Sequence, residues 1–173
     1  MAKTTGIGPG ASKEKGQSVA SFYDKARRSP QVVKPHEIPW EECGQGRKKD
    51  LVKAVGPVLH TMDASIHILP PGASSDRHRH MAEELVYVLE GSGYDLHWEV
   101  PAEPRRKGYS LRRGQPARYE WQQGDTIYVP VNVEHQHFNH DVERPARFIC
   151  ATSRIPDYSG FDRLEDSPQA TAG

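Results

Sequence analysis

What this chain has little of narrows its reading quickly. It holds two cysteines in 173 residues, Cys43 and Cys150, too far apart for any short metal-binding or redox spacing. A disulfide scaffold is thereby excluded, and free thiols in a reducing compartment are expected. Hydrophobic residues make up 35% of the chain, and no apolar run approaches the roughly 20 residues of a membrane-spanning helix. The 23 Lys and Arg residues match 23 Asp and Glu residues, so no net field draws the protein toward nucleic acid or an anionic membrane. The opening MAKTTGIGPGASKEKGQ has no apolar segment of the secretory kind, and a cytoplasmic setting is expected.

What is present falls into four stretches. Residues 1–19 are rich in Gly, Ser, Lys and Thr without periodicity and read as a disordered tail. Residues 20–50 read as a short helix over ASFYDKARRS, stopped by Pro30, followed by an extended arm. In that arm Val32, Val33, Ile38 and Trp40 could pack on a neighbouring surface, and GQGRKKD reads as a turn. From Leu51 to residue 155 the texture changes to short β-branched and aromatic runs broken by Gly, Pro, Asn and Asp. The predicted strands are LVKAV (51–55), ASIHILP (64–70), the stretch through His78 and His80, ELVYVLE (84–90) and SGYDLHWEV (92–100). ARYEW (117–121), DTIYVP (125–130), EHQHFNH (134–140) and ARFICAT (146–152) follow. Short strands at close spacing without intervening helices predict an all-β sandwich or barrel. Residues 156–173 form a polar extension, and the Arg-rich PAEPRRKGYSLRRGQP (101–116) interrupts the strands as an insertion.

Two stretches carry chemistry. In PGASSDRHRHMAEELVYVLEG, His78 and His80 lie two apart and share a strand face, with Glu83 and Glu84 after a short break. Imidazoles and a carboxylate converging on one point make a shell for a divalent ion. In GDTIYVPVNVEHQHFN, His135, His137 and Asn139 share a face, and Asn132 sits where a tight turn favours a residue tolerant of positive φ. If His135 faces the same cavity as the first pair, the shell becomes three imidazoles and one carboxylate.

Together these stretches resemble the two motifs of the cupin superfamily. The first motif finds Gly72, His78, His80, Glu84 and Gly91 at its spacing; the second finds Gly124, Pro130, His135 and Asn139, with Asn132 in place of a glycine. The resemblance implies a double-stranded β-helix, or jelly roll, spanning about residues 64–152. It also implies that His78, His80, Glu84 and His135 are the metal ligands, Glu84 rather than Glu83 because its spacing to Gly91 fits. Leu85, Tyr87 and Leu89 would then face away from Glu84, Val86 and Val88. The strings HRHMAEE and HQHFN are also similar to those of gentisate-type ring-cleaving dioxygenases, which carry two barrels and usually lack the glutamate ligand.

These implications lead to an ordered set of expectations. The first is an Fe(II) dioxygenase, with Mn, Ni, Zn or Cu as other candidate ions, acting on a small oxygenated aromatic or dicarbonyl/carboxylate compound chelated at the metal. His137, beside a ligand on the same face, is the candidate catalytic acid/base; its other reading is a histidine that merely lines the barrel. The arginines of 101–116 could guide an anionic substrate. The alternatives are a non-redox isomerase or lyase, and a non-catalytic ligand-binding cupin. No nucleic acid or membrane partner is expected. A homodimer formed through the N-terminal arm is.

Overall fold

The computed structural model describes residue 24 and residues 27–53, 61–99, 102–104, 109–111 and 114–159. Eleven strands lie within them and helix is confined to a few short stretches, so the all-β expectation holds. A 3-10 turn at Pro35–Glu37 precedes β1 (Glu41–Cys43), β2 (Gly46–Asp50) and β3 (Met62–Leu69). Then come β4 (Glu84–Glu90), β5 (Ser92–Trp98), β6 (Ala102–Pro104) and β7 (Tyr109–Leu111). The last strands are β8 (Ala117–Gln122), β9 (Thr126–Val129), β10 (Glu134–Asn139) and β11 (Ala146–Ser153), before a helix, α1 (Ile155–Ser159). No helix among the described residues is long and apolar enough to cross a membrane.

All strand pairings are antiparallel. One sheet runs β1-β2-β3-β11-β4-β9 and a second runs β10-β5-β8, with β6 and β7 paired as a separate hairpin. The two sheets are the jelly roll that the motifs imply. Their facing sides enclose Leu69, Val86, Val88, Trp121, Ile127, Val129, Ala146, Phe148 and Cys150. Period-two alternation builds this core: in β4, Glu84, Val86 and Val88 are buried while Leu85 and Tyr87 are exposed. Trp121 anchors the far end, packing edge-on against Phe148 at 5.1 Å.

Several local expectations change. GRKKD is strand β2, not a turn, and LVKAV is not a strand over Leu51–Lys53, which form a turn; residues 54–60 lie outside the described region. A run of charge conceals a strand here because the strand lies near the sheet edge, where charged side chains are favoured. On one face Arg47 and Lys49 lie 5.5 and 4.8 Å from the Trp40 ring, and Lys49 Nζ donates to the Pro35 carbonyl at 2.5 Å. Their alkyl stems cover the sheet while their charges stay satisfied. The arm thus folds onto its own chain. Residues 73–80 form no regular strand but run beside β10 through two isolated bridges, Ser74 with Phe138 and His78 with His135.

Of the predicted first helix, Asp24, Arg27 and Arg28 are described, and they are helical. The tail 1–19, the insertion's Arg105, Arg106, Lys107, Arg112 and Arg113, and residues 160–173 lie outside the described residues.

The turn chemistry follows the motifs closely. Gly72, Gly91 and Gly124 have φ of 63°, 94° and 91°, and Asn132, at 63°, is the one non-glycine among the described residues with positive φ. Asn139 pins a turn: its Nδ2 donates to the carbonyls of Pro70 and Arg144 at 2.9 and 2.8 Å, and its Oδ1 accepts from Asp141 N. Gly93 serves a different need. A Cβ there would collide with the Phe138 carbonyl oxygen and the Trp121 ring. Gly93→Ala should therefore cost about 2 kcal/mol or more through overpacking. Denaturant unfolding checks this, and an unchanged midpoint would show that β5 and β10 have room to part.

Candidate metal centre

Four potential ligands arrive from three parts of the chain. Glu84 opens β4, His135 lies on β10, and His78 and His80 lie on the irregular segment beside it. His78 and His135 form a mutual backbone pair, His78 N donating to His135 O at 3.0 Å and His135 N to His78 O at 2.8 Å. Their rings consequently stand 4.1 Å apart. The positive-φ turn at Asn132 fixes the next residue along, since Asn132 N donates to the His80 carbonyl at 2.9 Å. Donor atoms of His78, His80, Glu84 and His135 all lie within 4.8 Å of one another, a cluster that could hold a metal ion. Glu84 is the carboxylate that meets the histidines, whereas Glu83 accepts from the exposed Tyr128 hydroxyl.

The hydrogen bonds of the rings test whether an ion fits. His78 Nδ1 lies 3.0 Å from the Asp76 carbonyl, His80 Nδ1 2.7 Å from that of Ala82, and His135 Nδ1 3.0 Å from that of Val133. A carbonyl only accepts, so each Nδ1 carries the proton and each neutral Nε2 presents a lone pair. Glu84 Oε2 sits 3.3 Å from His80 Nε2 and 3.2 Å from His135 Nε2. Three imidazoles plus a carboxylate at these spacings suit a divalent transition ion, which would replace the Nε2–Glu84 contacts with its own bonds. The donor set fits.

Electrostatics agree. Burial holds His78 down to about 4, with the neighbouring His135 adding to the effect, so its imidazole is neutral at pH 7. Burial would raise the Glu84 carboxyl, but contacts with His135 and His80 and the charge of His137 hold it well below the carboxylate range. Glu84 is thus an anion although only 4% exposed.

A cavity of about 400 Å³ opens onto His78, His80 and Glu84. Its remaining wall is formed by Gln45, Lys48, Ser65, His67, Asp76 and Thr152, with Cys43, Gly44 and Cys150, and presents both polar groups and hydrocarbon stems. Gln45 Nε2 lies 2.7 Å from His78 Nε2, bringing the β1–β2 turn against the ligand set. Burial raises the Cys150 thiol well above its usual value, as does nearby Glu84, so it stays protonated. Both cysteines are free.

His137 lies on the same face as His135, with ring centroids 5.3 Å apart, but it is not among the residues lining the cavity. It stands behind the ligands. Its Nδ1 donates to Asp95 Oδ2 at 2.9 Å, while Asp95 Oδ1 accepts from Trp121 Nε1 at 2.8 Å. Burial would lower His137, but the Asp95 charge and hydrogen bond raise it above its ordinary value. Burial would likewise raise Asp95, yet the His137 charge, the bonds from His137 and Trp121 and the approach of His97 at 3.5 Å hold it at about 2. The two form a buried ion pair, and His137 Nε2 has no hydrogen-bond partner.

Sequence reasoning left Asp95, His67, Lys48 and Gln45 out of the site. His67, which belongs to neither motif, is buried and lines the cavity. The signal for two of them was alternation: Asp95 with His97, and Ser65 with His67, are i, i+2 pairs that must share a face. Gln45 and Lys48 were hidden in what reads as a turn.

A family model described as auxin binding protein matches residues 26–159. An auxin-binding protein of Nicotiana tabacum is 28% identical over 130 residues, covering 73% of this chain and 65% of its own length. Auxin-binding protein 1 of Arabidopsis thaliana is 28% identical over 114 residues, covering 62% of this chain and 51% of its own length. The chain therefore spans less than two thirds of these relatives. Among solved structures, a cupin 2 conserved barrel domain protein from Salinispora arenicola superposes with a TM-score of 0.54 at 16% identity, covering 77% of this chain and 96% of that one. The oxalate decarboxylase of Lactobacillus farciminis gives a TM-score of 0.59 at 17% identity, covering 83% of this chain and 42% of that one. These structures show the cupin barrel.

Two outcomes test the site. His135→Ala should lose most of the bound metal while keeping its β-sheet circular dichroism; elemental analysis giving full metal content would remove His135 from the ligand set. Asp95→Asn, which leaves His137 without its counter-charge, should cost about 3 kcal/mol at pH 7. Because Asp95 falls from 3.8 to about 2 on folding, its contribution is fully present above pH 4 and disappears as pH drops through 2. Denaturant unfolding of both proteins should show the gap closing between those pH values; a gap of constant size would contradict the ion pair.

Proposed function

Since the chain belongs to the auxin-binding protein family, we propose that its barrel binds a small oxygen-donor molecule directly at a divalent ion held by His78, His80, Glu84 and His135. The observation carrying this reading is the set of three Nδ1-to-carbonyl contacts that leave three Nε2 atoms, two of them within 3.3 Å of the buried Glu84 carboxylate, in one cluster of possible donors. A divalent ion held by these three imidazoles and one carboxylate would keep one positive charge and would supply Lewis acidity and, as Fe(II), dioxygen chemistry.

The chain's own residues do the rest. The cavity brings a small molecule to the exposed side of the donor set, and Gln45 borders its entry beside His78. Burial of Glu84 and His135 keeps water from the opposite side. The finer reading is Fe(II)-dependent oxygenation of a carboxylate or dicarbonyl compound chelated through two oxygens. Among the described residues that line the cavity none is Phe, Tyr or Trp, which favours that class over an aromatic substrate. His137 would act through its neighbours, its charge steadying Glu84 and its ring backing His135; this makes it a positioning residue rather than one that meets substrate.

A second reading, binding without turnover, is favoured by the relatives, which are named for binding auxin and not for a reaction. Oxygen uptake by Fe(II)-loaded protein on a panel of carboxylates and dicarbonyls separates the two. Uptake that falls at least about tenfold in His137→Ala, with metal content kept and the pH profile shifted, supports oxygenation. A ligand-induced change at the metal without oxygen uptake supports binding alone. Loss of neither metal nor ligand binding on removing His78 would defeat both.

A further inference from the structure

The cavity holds a positive charge that nothing in the fold uses. Lys48 is half-buried in the wall, on β2 opposite His67 of β3. Its neighbours in sequence are both engaged: Arg47 pairs with Glu42 at 3.2 Å, and Lys49 donates to the Pro35 carbonyl. Glu41, directly across from Lys48 on β1, lies 3.4 Å from Lys53 Nζ instead. Among the described residues no hydrogen bond or ion pair reaches the Lys48 ammonium.

Its charge is nevertheless felt inside the cavity. Burial is the main cause that brings His67 down to about 4, and Lys48 adds to it after an opposing pull from Glu84. His67 is therefore a neutral, buried ring; its Nε2 lies 2.7 Å from Ser65 Oγ and its Nδ1 has no partner. An ammonium in the wall that no protein group engages is open to an arriving anion, with which it can form a charge-assisted hydrogen bond.

The charges of the lining can be counted. A divalent ion with Glu84 leaves one positive charge, and Lys48 adds a second at a separate point of the wall. The remaining carboxylate of the lining, Asp76, is exposed at the rim. We propose that the ligand is a small dianion of the dicarboxylate class: one carboxylate meets the ion and the other meets the Lys48 ammonium, beside Ser65 and His67. This rests on the metal-centred reading above and adds a second anchor to it. Lys48 thereby sets specificity by charge and length, favouring acids with two anionic ends.

The test uses Co(II)-loaded full chain, whose visible spectrum reports ligand entry, together with calorimetry. Succinate and glutarate are compared with butyrate and pentanoate, which match them in length but lack the second carboxylate. The wild-type protein should bind each diacid at least about tenfold more tightly than its matched monoacid, the value of one charge-assisted hydrogen bond. Lys48→Met should erase that preference by weakening the diacids alone, with cobalt content and monoacid affinity unchanged; Lys48→Arg should keep it. Equal affinities in the wild type, or a preference that survives Lys48→Met, overturns the second anchor while leaving the metal reading intact. Failure of Co(II) to bind, or a spectrum that no acid alters, overturns the metal reading and the dianion with it.

Discussion

Three histidines of this barrel each give their Nδ1 proton to a main-chain carbonyl two residues away, and the rest of the site depends on that bond. It selects one tautomer, orients the ring and directs a lone pair at the same point in space. The carbonyls of Asp76, Ala82 and Val133 are not spare groups that happen to be near. They belong to segments whose course is set by the backbone pair between His78 and His135 and by the left-handed turn at Asn132. A side-chain site is thus specified through main-chain geometry, which explains why glycine or asparagine at turns matters as much as the ligands themselves.

The barrel interior divides into two regimes. Toward Trp121 and Phe148 it is packed hydrocarbon that supplies the driving force for folding. Toward His67 and Glu84 it is polar and concave. Between them stands the Asp95–His137 pair, bonded to Trp121 on one side and packed on His135 on the other. A buried ion pair contributes little net stability compared with apolar packing, because desolvation offsets its attraction. Its position at the boundary gives it another value: it joins the hydrocarbon end to the ligand end, so that neither can shift without the other.

How much of this was legible depended on whether the pattern was local. That His78, His80, Glu84 and His135 come together was readable because each motif puts its residues at fixed short spacings, and β4 and β10 obey strict alternation. Asn132 was readable because its positive φ is a property of one residue. The wall of the cavity was not, since β2 contributes to it from a stretch of arginine, lysine and aspartate that reads as a turn. Hydrophobic periodicity finds strands that bury carbon on one face; β2 presents charge on both, and only pairing with β3 reveals it. Asp95 and His67 were missed for a related reason. Each lies on a correctly located strand, but the partner that gives it meaning comes from a distant part of the chain.

Gln45 and Lys48 sit on the β1–β2 hairpin, at the edge of the larger sheet and outside the two motifs that supply the ligands. The hairpin touches the metal segment where Asp76 N donates to the Gly44 carbonyl. Such an arrangement puts the four clustered side chains and part of the wall beside them on separate elements. An edge hairpin can be lengthened, shortened or recoded with little disturbance to interior strands, so the wall of the cavity can change while the cluster keeps its geometry.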